Sequence, residues 1–167
     1  MPAGSTYSTI ATTTLGSAAS SYTFSSISGI YTDLFLVING GTSASGQSIG
    51  MQFNSDSGSN YSSTEMWGTG SATSSGTLSN ATFIRAVGRG IGTDSTLIDT
   101  GFVSIQNYSN TTTNKTSLIR SGVSGGTIAS VGLWRSTSAI TSITLFGEGP
   151  SNLITGTTLT LYGIAAA

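Results

Sequence analysis

The stretch Ile49-Gly50-Met51-Gln52-Phe53-Asn54-Ser55-Asp56-Ser57-Gly58-Ser59-Asn60-Tyr61 decides the fold class. Ile49, Met51 and Phe53 alternate with Gly50, Gln52 and Asn54, which sends the apolar side chains to one face of a strand. Asp56 to Asn60 follows as a turn, because Asp, Asn and Gly tolerate left-handed backbone and bond their own main chain. A second strand then starts at Tyr61 and runs toward Trp67.

The same unit recurs on both sides. Upstream, Tyr7–Ile10 and Ser21–Ile27 read as strands, with Tyr22 and Phe24 on one face. Tyr31–Ile38 contains the run Leu34-Phe35-Leu36-Val37-Ile38, continuous enough to be covered on both sides or at a subunit contact. It stops at Asn39-Gly40-Gly41, a turn signal. Downstream, Gly68–Gly76 reads as a Gly/Ser/Thr loop. Strands are expected over Leu78–Val87, Leu97–Gln106 and Thr116–Arg120, with a polar loop at Asn107–Asn114. Ala129, Val131 and Leu133 alternate with Ser130, Gly132 and Trp134, which places Trp134 on the outward face. Ile143 and Leu145 alternate with Thr144 and Phe146. After the turn Gly147–Asn152, the strand Thr157–Ile164 puts Leu159 and Leu161 on one face and Tyr162 and Ile164 on the other.

No window of a dozen residues carries an apolar stripe at helical spacing. The pattern predicts an all-β, antiparallel, jelly-roll-like β-sandwich of about 8–10 short strands without significant helix. One domain is expected over residues 1–167, with residues 1–18 as an arm docking onto a neighbouring subunit.

Composition narrows the function classes. Charged residues make up 7% of the 167 and net charge is -1, against roughly 25% charged in an ordinary domain. Ser and Thr take their place, 31 and 28 residues respectively. Arg85, Arg89, Arg120 and Arg135 are too dispersed for a polyanion groove, so neither nucleic acid nor an anionic membrane is an expected partner. With so few acids available, each Arg is expected to bond carbonyls or a neighbouring subunit. No apolar run approaches the ~20 residues that span a bilayer. Met1 to Ser5 carries no secretory signal pattern. A surface this poor in charge does not keep copies apart, so self-association is expected.

The chain has no His and no Cys, which removes the usual neutral-pH base, the soft metal ligands and the standard serine and cysteine triads. Carboxylate catalysis would have to come from Asp33, Asp56, Glu65, Asp94, Asp99 and Glu148, for instance a spatial pair of Asp56 and Glu65. These acids are adequately explained as turn and strand-end caps, so no catalytic residue and no cofactor are expected. Asp56 and Asn60 offer hard oxygen ligands of the kind Ca²⁺ prefers, but without further acids the turn reads as an Asx turn. Tyr61, Trp67, Tyr108 and Trp134 are the rings that would stack on a glycan. Packing between subunits is the preferred account of such rings, since aromatics gather in interface cores.

Three blocks resemble small virion structural proteins of tailed bacteriophages, frequent among phages of cyanobacteria and aquatic bacteria. The first runs from Tyr7 to Ala18 and on through Tyr22-Thr23-Phe24 and Ser26-Ile27. The second is Met51 to Tyr61. The third joins Ile140–Phe146 to Gly156–Ile164. Gly68–Asn114 lies outside the resemblance. The resemblance implies a jelly-roll-like sandwich repeated about a symmetry axis on the particle, and it transfers no catalytic residue. The lead expectation is a capsid decoration or cement protein on the virion surface, assembled in the host cytoplasm. It would be a homotrimer, with Leu34, Leu36, Ile38, Trp134, Phe146 and Tyr162 as its interface candidates, bound to the major capsid protein. The alternative is a tail, baseplate or fibre module binding a host-surface glycan.

Overall fold

Ile49, Met51 and Phe53 turn inward and are fully buried, as period-two spacing requires of a strand with one covered face. The computed structural model describes residues 6–44, 46–88, 99–123 and 125–165. Among these lie β1 (Tyr7–Thr14), β2 (Ser21–Phe24), β3 (Asp33–Gly40), β4 (Ile49–Phe53), β5 (Tyr61–Gly68), β6 (Thr73–Ala81), β7 (Ile84–Val87), β8 (Asp99–Gln106), β9 (Lys115–Val123), β10 (Gly126–Trp134), β11 (Ile143–Gly147) and β12 (Thr158–Ile164). No described residue is helical.

The strands form two antiparallel sheets. One has the order β1-β12-β3-β8-β9-β10-β5-β6, the other β2-β11-β4-β7. Without the hairpins β5–β6 and β9–β10, the sheets reduce to β1-β12-β3-β8 facing β2-β11-β4-β7. First-last-third-sixth against second-seventh-fourth-fifth is the double Greek key of a jelly roll. The two hairpins are inserted between successive jelly-roll strands and widen one sheet to eight. Between the sheets lies a core that includes Leu34, Leu36, Ile38, Val103, Ile105, Leu145, Leu159 and Leu161.

The short sheet fits closely over the widened one. A Cβ on Gly132 would come within 2.6 Å of Ile84 Cγ2, and a Cβ on Gly101 equally close to Val87 Cγ2. The β7 side chains therefore sit in holes that only glycine leaves in β10 and β8.

Several expectations change. The strand count is higher because Leu78–Val87 is two strands in different sheets. The chain leaves the long sheet after Ala81 and enters the short one at Ile84. Phe83 marks the crossing by packing edge-on against Phe146, ring centroids 5.5 Å apart. The expected loop Gly68–Gly76 is mostly strand. The turn is confined to Thr69–Ala72, closed by Thr69 N donating to Ala72 O at 3.0 Å, and Thr73 to Gly76 are recruited by pairing with β5. Leu97 of the expected strand Leu97–Gln106 lies outside the described residues. Residues 7–14 form a strand paired with the chain's own β12 at the edge of the long sheet.

Burial along β10 is also opposite to the outward reading of Trp134. Ile128, Ser130, Gly132 and Trp134 face inward, while Ala129 and Val131 are exposed. Both parities of this strand carry apolar residues, so alternation alone left its covered face undecided.

Candidate functional site

Asp56 and Asn60 come together, but as a latch. The Asp56 carboxylate accepts Nε1–H of Trp134 on Oδ2 at 2.7 Å, Nδ2 of Asn60 at 2.9 Å, and the Gly58 backbone N–H on Oδ1 at 2.9 Å. Donation by Trp134, aided by Asn60 and Gly58 and opposed by burial, holds the carboxyl below the usual aspartate range. A carboxylate satisfied by N–H donors has little left for a cation. Among the described residues no three His, Cys, Asp or Glu side chains cluster as metal ligands.

The same latch relocates the aromatic candidates. Trp134 is 2% exposed; its ring stacks at 6.3 Å on Tyr61 and lies 5.5 Å from Phe53. Tyr61 is fully buried. Its hydroxyl donates to Asp56 O at 3.0 Å and accepts from Phe53 N at 3.0 Å, and burial pushes its pKa up to about 12. Tyr108 is buried too, with its hydroxyl donating to Ser28 O. None of these three rings offers a face to a glycan. Leu34, Leu36 and Ile38 are likewise enclosed in the chain's own core, so they present nothing to a second subunit. Phe146 and Tyr162 remain half-exposed, on the outer faces of the short and long sheets.

What does reach the surface is the outer face of the long sheet. Phe35 of β3 stacks on Phe102 of β8 at 6.1 Å, and Tyr7 meets both Phe35 and Tyr162 edge-on at 5.8 and 6.2 Å. Strand register continues the row: Phe102 lies beside Arg120, Arg120 beside Ala129, Ala129 beside Met66. Leu118 and Val131 face each other in the adjacent row. Met66, Leu118, Val131 and Phe102 are 63, 47, 49 and 37% exposed. Two grooves of about 920 and 450 Å³ run along this face. The sequence carried a signal for it, since β8, β9 and β10 are apolar at both parities, and a one-sided strand does not need that.

A second concavity of about 390 Å³ opens on the inner face, where the long sheet extends past the cover of β7. Trp67, Leu78 and Ile128 line it, together with Glu65 and Arg85. Arg85, 5% exposed, donates through Nε and Nη2 to both oxygens of Glu148 at 3.0 and 2.9 Å. Its Nη1 reaches Glu65 Oε1 at 3.4 Å. Burial works against the guanidinium charge, but the Glu148 and Glu65 carboxylates outweigh it and hold Arg85 above its ordinary value. The expectation that each Arg bonds carbonyls holds for Arg135, which donates to Ser59 O at 2.7 Å. It fails for Arg85, because the fold brings two of the few acids to one point. Arg89 and Asp94 lie outside the described residues.

Chemically, Glu65 and Glu148 share one cation. The Asp56 and Glu65 pair that carboxylate catalysis would have drawn on does not form; one bonds Trp134 and the other Arg85. No protein-family model matches the chain, and no curated protein matches it either.

Proposed function

We propose that the chain is a non-enzymatic structural protein of a virion, acting as a decoration or cement subunit on the phage head. The observation that carries this reading is the apolar outer face of the long sheet, where Phe35, Met66, Phe102, Leu118 and Val131 form one surface on a nearly uncharged protein. Exposed apolar patches of this kind mark interaction sites, and a stable interface removes about 1,600 Å² from water. The mechanism is interface burial: copies associate, as a homotrimer, and bridge major capsid protein subunits, bracing the shell against internal pressure. The phage assignment rests on the sequence blocks at both ends of the chain and at Met51–Tyr61.

Heads lacking the protein test the reading. Purified protein should co-sediment with such heads and raise their resistance to heat or osmotic shock. A pair of polar substitutions, Met66→Ser with Leu118→Ser, should abolish both effects. Co-sedimentation with tails and not heads would transfer the role to the tail, and binding to neither would end the virion reading. The tail or fibre alternative keeps one observation in its favour, the pocket beside Trp67.

A further inference from the structure

We infer that the inner-face pocket between β5, β6 and β10 is a binding site for a neutral sugar ring, with Trp67 as the stacking platform and Glu65 as the hydroxyl acceptor. Three features carry this. The first is shape: about 390 Å³ falls within the ~300–1,000 Å³ of small-molecule sites. It exists because the hairpins β5–β6 and β9–β10 carry the long sheet beyond the last strand of the short one.

The second is the seat of Trp67. A Cβ on Gly76 would lie 3.2 Å from Cζ3 and 3.5 Å from Cη2 of the indole, so the ring rests over bare backbone of β6. Glycine there lets the half-exposed indole lie against the strand and line the pocket. Among the aromatic residues singled out from the sequence as glycan platforms, Trp67 alone keeps an accessible ring; Tyr61, Tyr108 and Trp134 are enclosed.

The third is the state of Glu65. Its side chain is 7% exposed and its one hydrogen-bond partner is Arg85, at 3.4 Å. Arg85 meanwhile spends its two shorter bonds on Glu148. A carboxylate accepts about four hydrogen bonds, so Glu65 keeps accepting capacity beyond its bond to Arg85. Glu65 lines the pocket, where ligand donors would satisfy it. An apolar ligand supplies no donors. An anion meets the Glu65 carboxylate, and a cation must sit beside the Arg85 guanidinium. A sugar ring offers an apolar C–H face to the indole and hydroxyl donors to the carboxylate.

The test uses the whole chain and a panel of glucose, galactose, mannose and N-acetylglucosamine, read by indole fluorescence and by saturation-transfer NMR. Because Trp134 is buried and bonded to Asp56, a ligand-dependent emission change reports Trp67. We expect saturable binding of at least one sugar with a millimolar or tighter Kd. Trp67→Ala should weaken it roughly tenfold or more with the far-UV spectrum unchanged, and Glu65→Gln should weaken it too. Wild-type NMR without saturation transfer to any sugar overturns the inference. So does binding indifferent to Trp67→Ala, or binding of choline in preference to every sugar. These measurements need no capsid, so their failure leaves the assembly role standing, and failure of head binding leaves the pocket standing.

Discussion

Trp134 and Asp56, 78 positions apart in sequence, are joined by a 2.7 Å hydrogen bond from the indole N–H to the carboxylate. The bond closes the β4–β5 turn over the end of β10 and gives the buried indole the acceptor it needs. It also accounts for Trp134, which reads as an outward ring in the sequence.

Breaking that bond has a pH signature. The folded carboxyl titrates below its unfolded value of 3.8, so its contribution is complete above that pH and is lost as pH falls through the folded value. Asp56→Ala should cost about 1–3 kcal/mol at neutral pH by orphaning the indole N–H. Asp56→Asn keeps an acceptor but loses the charge. Thermal melts against pH should show its deficit relative to wild type shrinking as pH drops below 3.8.

Tyr61 gives the alkaline counterpart. Its pKa is raised from 10.0 to about 12 by burial, so the folded chain keeps a proton that the unfolded chain releases. The stability this represents is present below pH 10 and drains away between 10 and about 12. Absorbance titration should show a tyrosine ionising near 12 that Tyr61→Phe removes, while Tyr108, also pushed up by burial, still ionises late in the variant.

The glycine seat under β7 is testable by coupling. Gly132→Ala drives a methyl to 2.6 Å from Ile84 Cγ2 and should cost about 1–3 kcal/mol by overpacking. Ile84→Ala alone leaves a cavity, at about 2–5 kcal/mol. Combined, they should cost less than their sum in urea unfolding, because each relieves the other.

The buried ion cluster predicts asymmetric losses. Arg85→Ala leaves two carboxylates facing each other and should cost about 3–5 kcal/mol. Adding Glu65→Gln should recover part of that. Since the cluster is buried, raising salt should scarcely change wild-type stability.

On the outer face, Met66→Ser with Leu118→Ser removes exposed apolar surface and should shift stability by no more than about 0.5 kcal/mol each. Light scattering should show a homotrimer in the wild type and a smaller species in the variant. A wild type that stays monomeric at high concentration would contradict the trimer.

The sequence by itself determined the all-β class, the turns at Asp56–Asn60 and Gly147–Asn152, and the inward face of β4. Those features are local: alternation and turn chemistry act over a few residues, and where one parity is apolar and the other polar the buried face has no rival. Tertiary structure decided the rest. In β3, β8, β9 and β10 both parities carry apolar residues, so only the covering sheet selects Leu34 over Phe35, Val103 over Phe102, Ile119 over Leu118 and Trp134 over Leu133. Likewise Arg85 finds Glu65 and Glu148 at separations of 20 and 63 residues, which no spacing rule relates. The pocket beside Trp67 lies where two inserted hairpins extend one sheet past the described strands of the other. Alternation tells each strand that it has two faces; packing decides which of them is inside.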